Sequence, residues 1–386
     1  MTAETVTTDT ATADGAPAPS LREVELLQLE LPLVTPFRTS FGTQTVRRVL
    51  LVHLLTDGPE GWGECVAMEE PLYSSEYVDA AEQVIERQLL PRLDAGPLDA
   101  AAVNVAMRPV RGHRMAKAAV EMAVLDAQLR AQGHPLAELL GATREAVDCG
   151  VSVGIMDSIP RLLEAVSGYV EAGYRRIKLK IEPGWDLEPV REVRRLVGPQ
   201  MPLQVDANTA YTLADAQHLA RLDEFGLLLI EQPLPEEQIL GHAHLARTVR
   251  TPICLDESIV SAEVAAEAIE LGACAIVNIK PGRVGGYLEA RRIHDLCAER
   301  GIPVWCGGML ESGIGRAANV ALAALPGFTL TGDTSASDRY YAQDITAPFV
   351  LEDGRLRVPT GAGLGVEVLR DVVDSLTVSR RSGQRC

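Results

Sequence analysis

Positive charge is scarce in this 386-residue chain: 36 Lys+Arg stand against 53 Asp+Glu, a formal net charge of −17. So acidic a chain repels phosphate backbones and anionic headgroups, which excludes nucleic acid and a membrane surface as expected partners. An anionic small molecule would have to be captured by local positive charge. No apolar run approaches the roughly 18 residues that a membrane span needs. Residues 1–20 lack the basic and apolar stretches of a signal peptide. Rich in Thr, Ala, Asp and Pro, they read as a disordered tail. Cys-x-x-Cys pairs are missing as well. The seven cysteines (Cys65, Cys149, Cys254, Cys274, Cys297, Cys306 and Cys386) are scattered, several within apolar runs. That usage points to a reducing cytoplasm without disulfides. Residues 380–386 read as a loose tail whose terminal Cys makes no prenylation box.

What is present is an ordinary globular composition, 47 % hydrophobic and 23 % charged, arranged in two textures. Residues 21–145 run from strands through a polar, Gly-ended loop at 35–42 to helical periodicity at 77–90 and 117–132. In the second helix Ala116, Ala119, Ala123 and Ala127 form a small-residue stripe for close packing, and Gly133 ends it. This part reads as an α+β domain. From 146 to 340, apolar runs at 147–153, 176–181, 203–206, 227–231, 253–256, 275–280, 303–306 and 328–330 alternate with amphipathic helices. Continuous apolar runs mean strands buried on both faces, hence a parallel sheet. Eight of them at a pitch of about 25 residues fit a (β/α) barrel of roughly 200 residues. After 340 the rhythm ends. A hairpin through Asp353-Gly354 and the segment 341–386 are expected to return to the N-terminal domain.

The chemistry sits at the ends of the barrel runs. Lys178-Leu179-Lys180 puts two lysines on one strand face, because side chains alternate. Then come Asp206-Ala207-Asn208, Glu231-Gln232-Pro233, Asp256-Glu257-Ser258 and Lys280-Pro281-Gly282, spaced 24 to 26 residues apart. C-terminal strand ends of a barrel share the active-site face, so Asp206, Glu231 and Asp256 would meet at one point. Three carboxylates there require a cation, and all-oxygen ligation favours Mg²⁺ before Mn²⁺. Acids at strand ends also cap helices, but that role explains neither Glu nor the flanking lysines. Lys180 and Lys280 would face the bound carboxylate substrate from opposite sides. One could take the α-proton of the metal-stabilised acid while the other delivers a proton to the opposite face.

The pattern K-x-K, D-x-N, E-Q-P, D-E-S, K-P-G resembles the enolase superfamily in its muconate-lactonising subgroup, over about 21–368. The resemblance implies a modified (β/α)7β barrel with an α+β capping domain formed by the N-terminal region and the C-terminal segment. It implies Mg²⁺ (replaceable by Mn²⁺ or Co²⁺) on Asp206, Glu231 and Asp256, with Lys180 and Lys280 as the acid/base pair. Lys178 would lower the pKa of Lys180 and touch the substrate carboxylate. The run 304–309 has no histidine, unlike the mandelate racemase branch, and enolase lacks the K-x-K lysine. Within the subgroup, 177–186, 280–286 and 307–313 are similar to the o-succinylbenzoate synthase / N-acylamino acid racemase family. That likeness implies racemisation of N-acetyl or N-succinyl α-amino acids, with o-succinylbenzoate synthesis as the alternative and dipeptide epimerisation as a third reading. By the same resemblance Ser152, Asn208 and the Gly308-Met309-Leu310 backbone would line the acyl side, and the molecule would be a homo-oligomer. The loops 35–42 and 67–73, with Phe37, Phe41, Met68, Leu72 and Tyr73, would close over the side chain; a hydrophobic domain interface would use the same residues. Arg283 is expected to tune Lys280, and Glu257 to stand near one of the two lysines.

Overall fold

The computed structural model describes residues 18–93 and 96–384. Strands β1 (Leu21–Thr39) and β2 (Gly42–Thr56) form a long antiparallel hairpin, with β3 (Gly61–Cys65) beside β2. The stretch expected as a loop at 35–42 is the upper arm of this hairpin, reached through a register shift between Pro32 and Phe37. The helix Arg114–Gln132 covers the sheet and stops at Gly133, which takes φ 74°. Its alanine stripe has a matching partner: a Cβ on Gly61 would lie 2.0 Å from the Ala123 carbonyl, and one on Gly63 2.0 Å from that of Ala119. Small residues on both sides let strand and helix backbones touch.

Next comes β4 (Ala146–Asp148), followed by seven parallel strands: β5 (Gly150–Val153), β6 (Arg176–Lys180), β7 (Leu203–Asp206), β8 (Ile230–Glu231), β9 (Ile253–Leu255), β10 (Ile276–Ile279) and β11 (Val304–Cys306). Their order in the sheet is their order in the chain. The eighth expected strand closes the ring through single hydrogen bonds rather than a regular ladder. Leu330 and Asp333 donate to the carbonyls of Val304 and Cys306 at 3.3 and 2.9 Å, and Gly150 donates to Gly332 at 2.9 Å. The architecture is a modified (β/α)7β barrel carrying an α+β cap.

Two expectations about the C-terminal part change. Asp353 and Gly354 (φ 47° and 73°) make the tight turn, but β12 (Arg355–Arg357) pairs with β4 on the barrel. Two glycine-tolerant positions in a row suit a two-residue hairpin, so this one closes locally. The chain reaches the cap helix only later, where Leu364 N–H donates to Asp126 at 2.8 Å. The expected loose tail from 380 is instead part of β13 (Thr377–Gln384), paired with β1. It covers an edge that would otherwise be open, and Arg381 pairs with Glu82 at 3.2 Å. Of the expected N-terminal tail, residues 1–17 lie outside the described residues, as do Arg385 and Cys386. Ser20 is tied to Asp57 at 2.7 Å.

Candidate active site

Arg176, Lys178 and Lys180 alternate along β6 with their side chains inside the barrel, at 0 %, 2 % and 8 % exposure. The parallel register sets Lys180 beside Asp206, and Asp206 beside Glu231. Asp256 follows β9 and Lys280 follows β10, so the expected order of lysine, three acids and lysine is met across adjacent strand ends. Helix capping is done by other residues, Ser261 and Ser312 among them.

The three acids are fully buried and each meets a cation. Lys180 Nζ is 2.6 Å from Asp206 and 2.7 Å from Asn208 Oδ1. Lys178 Nζ reaches Asp206 at 3.3 Å, Glu231 at 3.1 Å and Asp333 at 2.6 Å. On the far side Lys280 Nζ is 2.7 Å from Asp256 and 3.2 Å from the Tyr73 hydroxyl, and it stands 4.6 Å from the Tyr73 ring centre. Arg283 also pairs with Asp256, and donates to the carbonyls of Ile259 and Asn278 at 2.7 and 2.6 Å. The lysines differ in consequence. Burial lowers Lys180, with the Lys178 charge acting in the same direction and Asp206 opposing. Lys280 is raised despite its burial by Tyr73, Glu231, Glu257 and Asp206.

Other expected residues fall around one cavity, which Ser152, Asn208, Gly308, Met309 and Leu310 line together with all three lysines. Met309 Sδ is 3.6 Å from Lys280 Nζ. From the cap, Phe37, Phe41, Met68 and Tyr73 reach the same space, whereas Leu72 is 48 % exposed. The hairpin tip docks on the barrel, Ser40 Oγ donating to the Asn208 carbonyl at 3.2 Å.

Residues 21–141 match the mandelate racemase / muconate lactonizing enzyme N-terminal domain family, and residues 161–372 the enolase C-terminal domain-like family. The chain belongs to the enolase superfamily. Within it the chain falls in the muconate-lactonising subgroup. An N-succinylamino acid racemase from Amycolatopsis is 65 % identical over 361 residues, 93 % of this chain and 98 % of that one. An o-succinylbenzoate synthase from Geobacillus kaustophilus is 49 % identical over 93 % of this chain and 96 % of its own. A crystal structure of a dipeptide epimerase from Cytophaga hutchinsonii, in complex with Mg and a dipeptide, is 25 % identical with a TM-score of 0.86, over 94 % of this chain and all of that one.

The acid cluster suits a divalent cation of the kind this superfamily uses. Its donors are all oxygens. Glu257, beside Asp256, keeps Oε2 buried with no partner. Burial, and after it the Asp206 charge, raise Glu231 and push Glu257 up to about 7, so carboxylates crowd one another here. Yet among the described residues no three acid, His or Cys side chains already converge as a cage. Neighbouring ammonium groups take the oxygens instead, so the acids meet as adjacent strand ends, not as a closed ligand set.

Several groups at this superfamily site escaped the sequence reading. Asn278 donates to Glu231 at 2.7 Å, and Trp305 lies under Lys178 at 4.8 Å. Asp333 also pairs with Arg176 at 2.8 Å. Period-two spacing would have found Arg176 and Asn278, two residues before Lys178 and Lys280. No local signal marks the Tyr73 hydroxyl, which arrives from the cap. Glu257 sits near Asn208, donated to at 3.0 Å, and thereby one residue away from Lys180.

Proposed function

We propose that the chain racemises N-acylated α-amino acids, N-succinyl or N-acetyl, by 1,1-proton transfer between Lys180 and Lys280. The observation that carries this reading is the placement of two buried lysines, both lining one cavity, at the ends of strands that bracket three acid-bearing ones. Asp206, Glu231 and Asp256 would hold the divalent cation, Mg²⁺ first, with Mn²⁺ or Co²⁺ as substitutes. When bound, it supplies Lewis-acid stabilisation of the charge a carboxylate substrate develops as its α-proton leaves. The α-proton moves to Nζ of one lysine while Nζ of the other donates to the opposite face, inverting the centre. Lys178, held by three carboxylates, stays an ammonium ion and faces the substrate carboxylate. Ser152, Asn208 and the 308–310 segment line the acyl side, and the cap's aromatic residues exclude water. The six described cysteines are free and buried, in keeping with work in a reducing cytoplasm.

A second reading, o-succinylbenzoate synthesis by dehydration, draws on the Tyr73 ring under Lys280: a cation–π contact suits an ammonium that stays charged while Lys180 alone acts as base. Both reactions fit one site. Dipeptide epimerisation is disfavoured, because Asp333, already engaged by Lys178 and Arg176, is not free for a substrate amine.

The test is a pair of variants, Lys180→Ala and Lys280→Ala, assayed with each enantiomer of an N-succinylamino acid. Both should lose racemisation by at least about a hundredfold, and each should keep α-proton exchange with solvent for one enantiomer, opposite in the two variants. Retained racemisation in either variant rules out the two-base scheme.

A further inference from the structure

One cation lining the catalytic cavity has no carboxylate partner. Arg47, on β2 of the cap, is 1 % exposed and faces the same cavity as Lys178, Lys180 and Lys280. Its Nη2 donates to the Val66 carbonyl at 2.6 Å, and its Nε has no hydrogen-bond partner. Among the described residues it forms no ion pair. A guanidinium stays charged at any working pH, so it cannot escape burial by losing its proton as a lysine can. A desolvated charge without a partner is strongly unfavourable and calls for an anion. Of the other buried arginines near the site, Arg316 and Arg339 also have an unpartnered Nε and no ion pair among the described residues, but neither lines this cavity. Arg176 and Arg283 pair with Asp333 and Asp256. Arg339 donates to Ser152 O at 2.8 Å and lies against the rings of Tyr169 and Tyr340 at 5.0 and 4.9 Å.

We propose that Arg47 receives a second carboxylate, at the far end of the substrate's acyl group, and so makes the enzyme prefer N-succinyl over N-acetyl derivatives. This rests on the racemase reading of the site. The lysines come from the barrel strand ends and Arg47 from the cap, so the cavity has cationic groups on both its barrel side and its cap side. Phe37 and Met68 line the space as well and suit the methylene groups of a short diacid linker. A planar fork with a free Nε–H matches a carboxylate. The α-carboxylate stays at the barrel, where the proton is exchanged, and the distal one is read by the cap.

Binding of achiral ligands tests this without requiring turnover. Calorimetry in Mg²⁺ would compare N-succinylglycine, its distal methyl ester and N-acetylglycine. Wild type should bind the diacid at least about tenfold more tightly than either neutral-ended ligand, the range for a hydrogen bond to a charged group. In Arg47→Met that ratio should fall towards one; in Arg47→Lys part of it should survive. Parity of the three ligands on wild type overturns the proposal whatever the variants do. So does an undiminished ratio in a folded Arg47→Met. A wild type that shows the binding ratio but racemises neither N-succinyl- nor N-acetylmethionine would contradict the racemase reading while leaving the Arg47 contact in place.

Discussion

Stability should fall as the pH rises from 5 to 8, and Glu64 should be a principal cause. This cap residue, on β3, reaches the N-terminus of the barrel helix Gly313–Ala323. It accepts hydrogen bonds from Ser312 N–H at 3.0 Å, Ser312 Oγ at 2.6 Å and Gly315 N–H at 2.9 Å. Burial nevertheless pushes its carboxyl from 4.5 up to about 7, with Glu311 adding to the rise and the Ser312 contacts opposing it. In the folded chain the group keeps its proton up to about 7; unfolded, it loses it near 4.5. The folded state therefore binds more protons across that window, so this contribution is fully present below 4.5 and lost as pH rises through about 7. At about 1.4 kcal/mol per pH unit the difference is on the order of 3 kcal/mol, or roughly 4 °C in Tm for a chain of this length. Scanning calorimetry of wild type and Glu64→Gln at pH 5 and pH 8 checks it. The variant, which cannot titrate at this position, should gain on wild type by on the order of 2 kcal/mol between pH 5 and pH 8. An equal difference at both pH values would refute the reasoning. Glu121, also pushed up to about 7 by burial, caps Leu288 N–H at 3.1 Å and supplies a parallel slope that remains in the variant.

Other expectations follow from the same contacts. Gly63→Ala places a methyl group against the Ala119 carbonyl and should cost about 1 to 3 kcal/mol by overpacking; an unchanged urea midpoint would contradict the close strand–helix approach. Chelation with EDTA should lower turnover at least about a hundredfold, with recovery on adding Mg²⁺, Mn²⁺ or Co²⁺. Full activity in the chelated enzyme would remove the metal role of the three acids. Arg283→Gln takes a cation from Asp256, the acid that also holds Lys280. It should impair racemisation, which needs Lys280 to take and give a proton, more than dehydration, which needs only its charge; equal losses would count against this.

The barrel and its acid–lysine series were legible because a parallel sheet imposes two regularities on the sequence. Strands buried on both faces are continuous apolar runs, and their C-terminal ends recur at the length of one strand plus one helix. Charged residues at that recurrence stand out, as Lys180, Asp206, Glu231, Asp256 and Lys280 do. The same logic went too far at 147–153, which is split between β4, paired outward with β12, and β5 in the barrel. What stayed hidden depends on distant parts of the chain. The resemblance places the loop bearing Tyr73 over the site, but nothing around it marks its hydroxyl as a partner of Lys280, and nothing around Arg47 shows that its strand lines the cavity. Asp333 lies 155 residues from the lysine it pairs with. The 380–384 stretch is polar and basic, so it reads as tail, and only the unpaired edge of β1 makes it a strand.

The two-base reaction is tested most directly by proton NMR in D₂O with Mg²⁺. N-succinyl-L-phenylglycine or N-acetyl-L-methionine is added, and the α-proton signal and the optical rotation are followed together. Loss of both at comparable rates is the predicted result, since each proton removed by one lysine is replaced by solvent deuterium from the other. Exchange of the α-proton with rotation retained would contradict it, leaving one lysine as base and the other as a fixed cation.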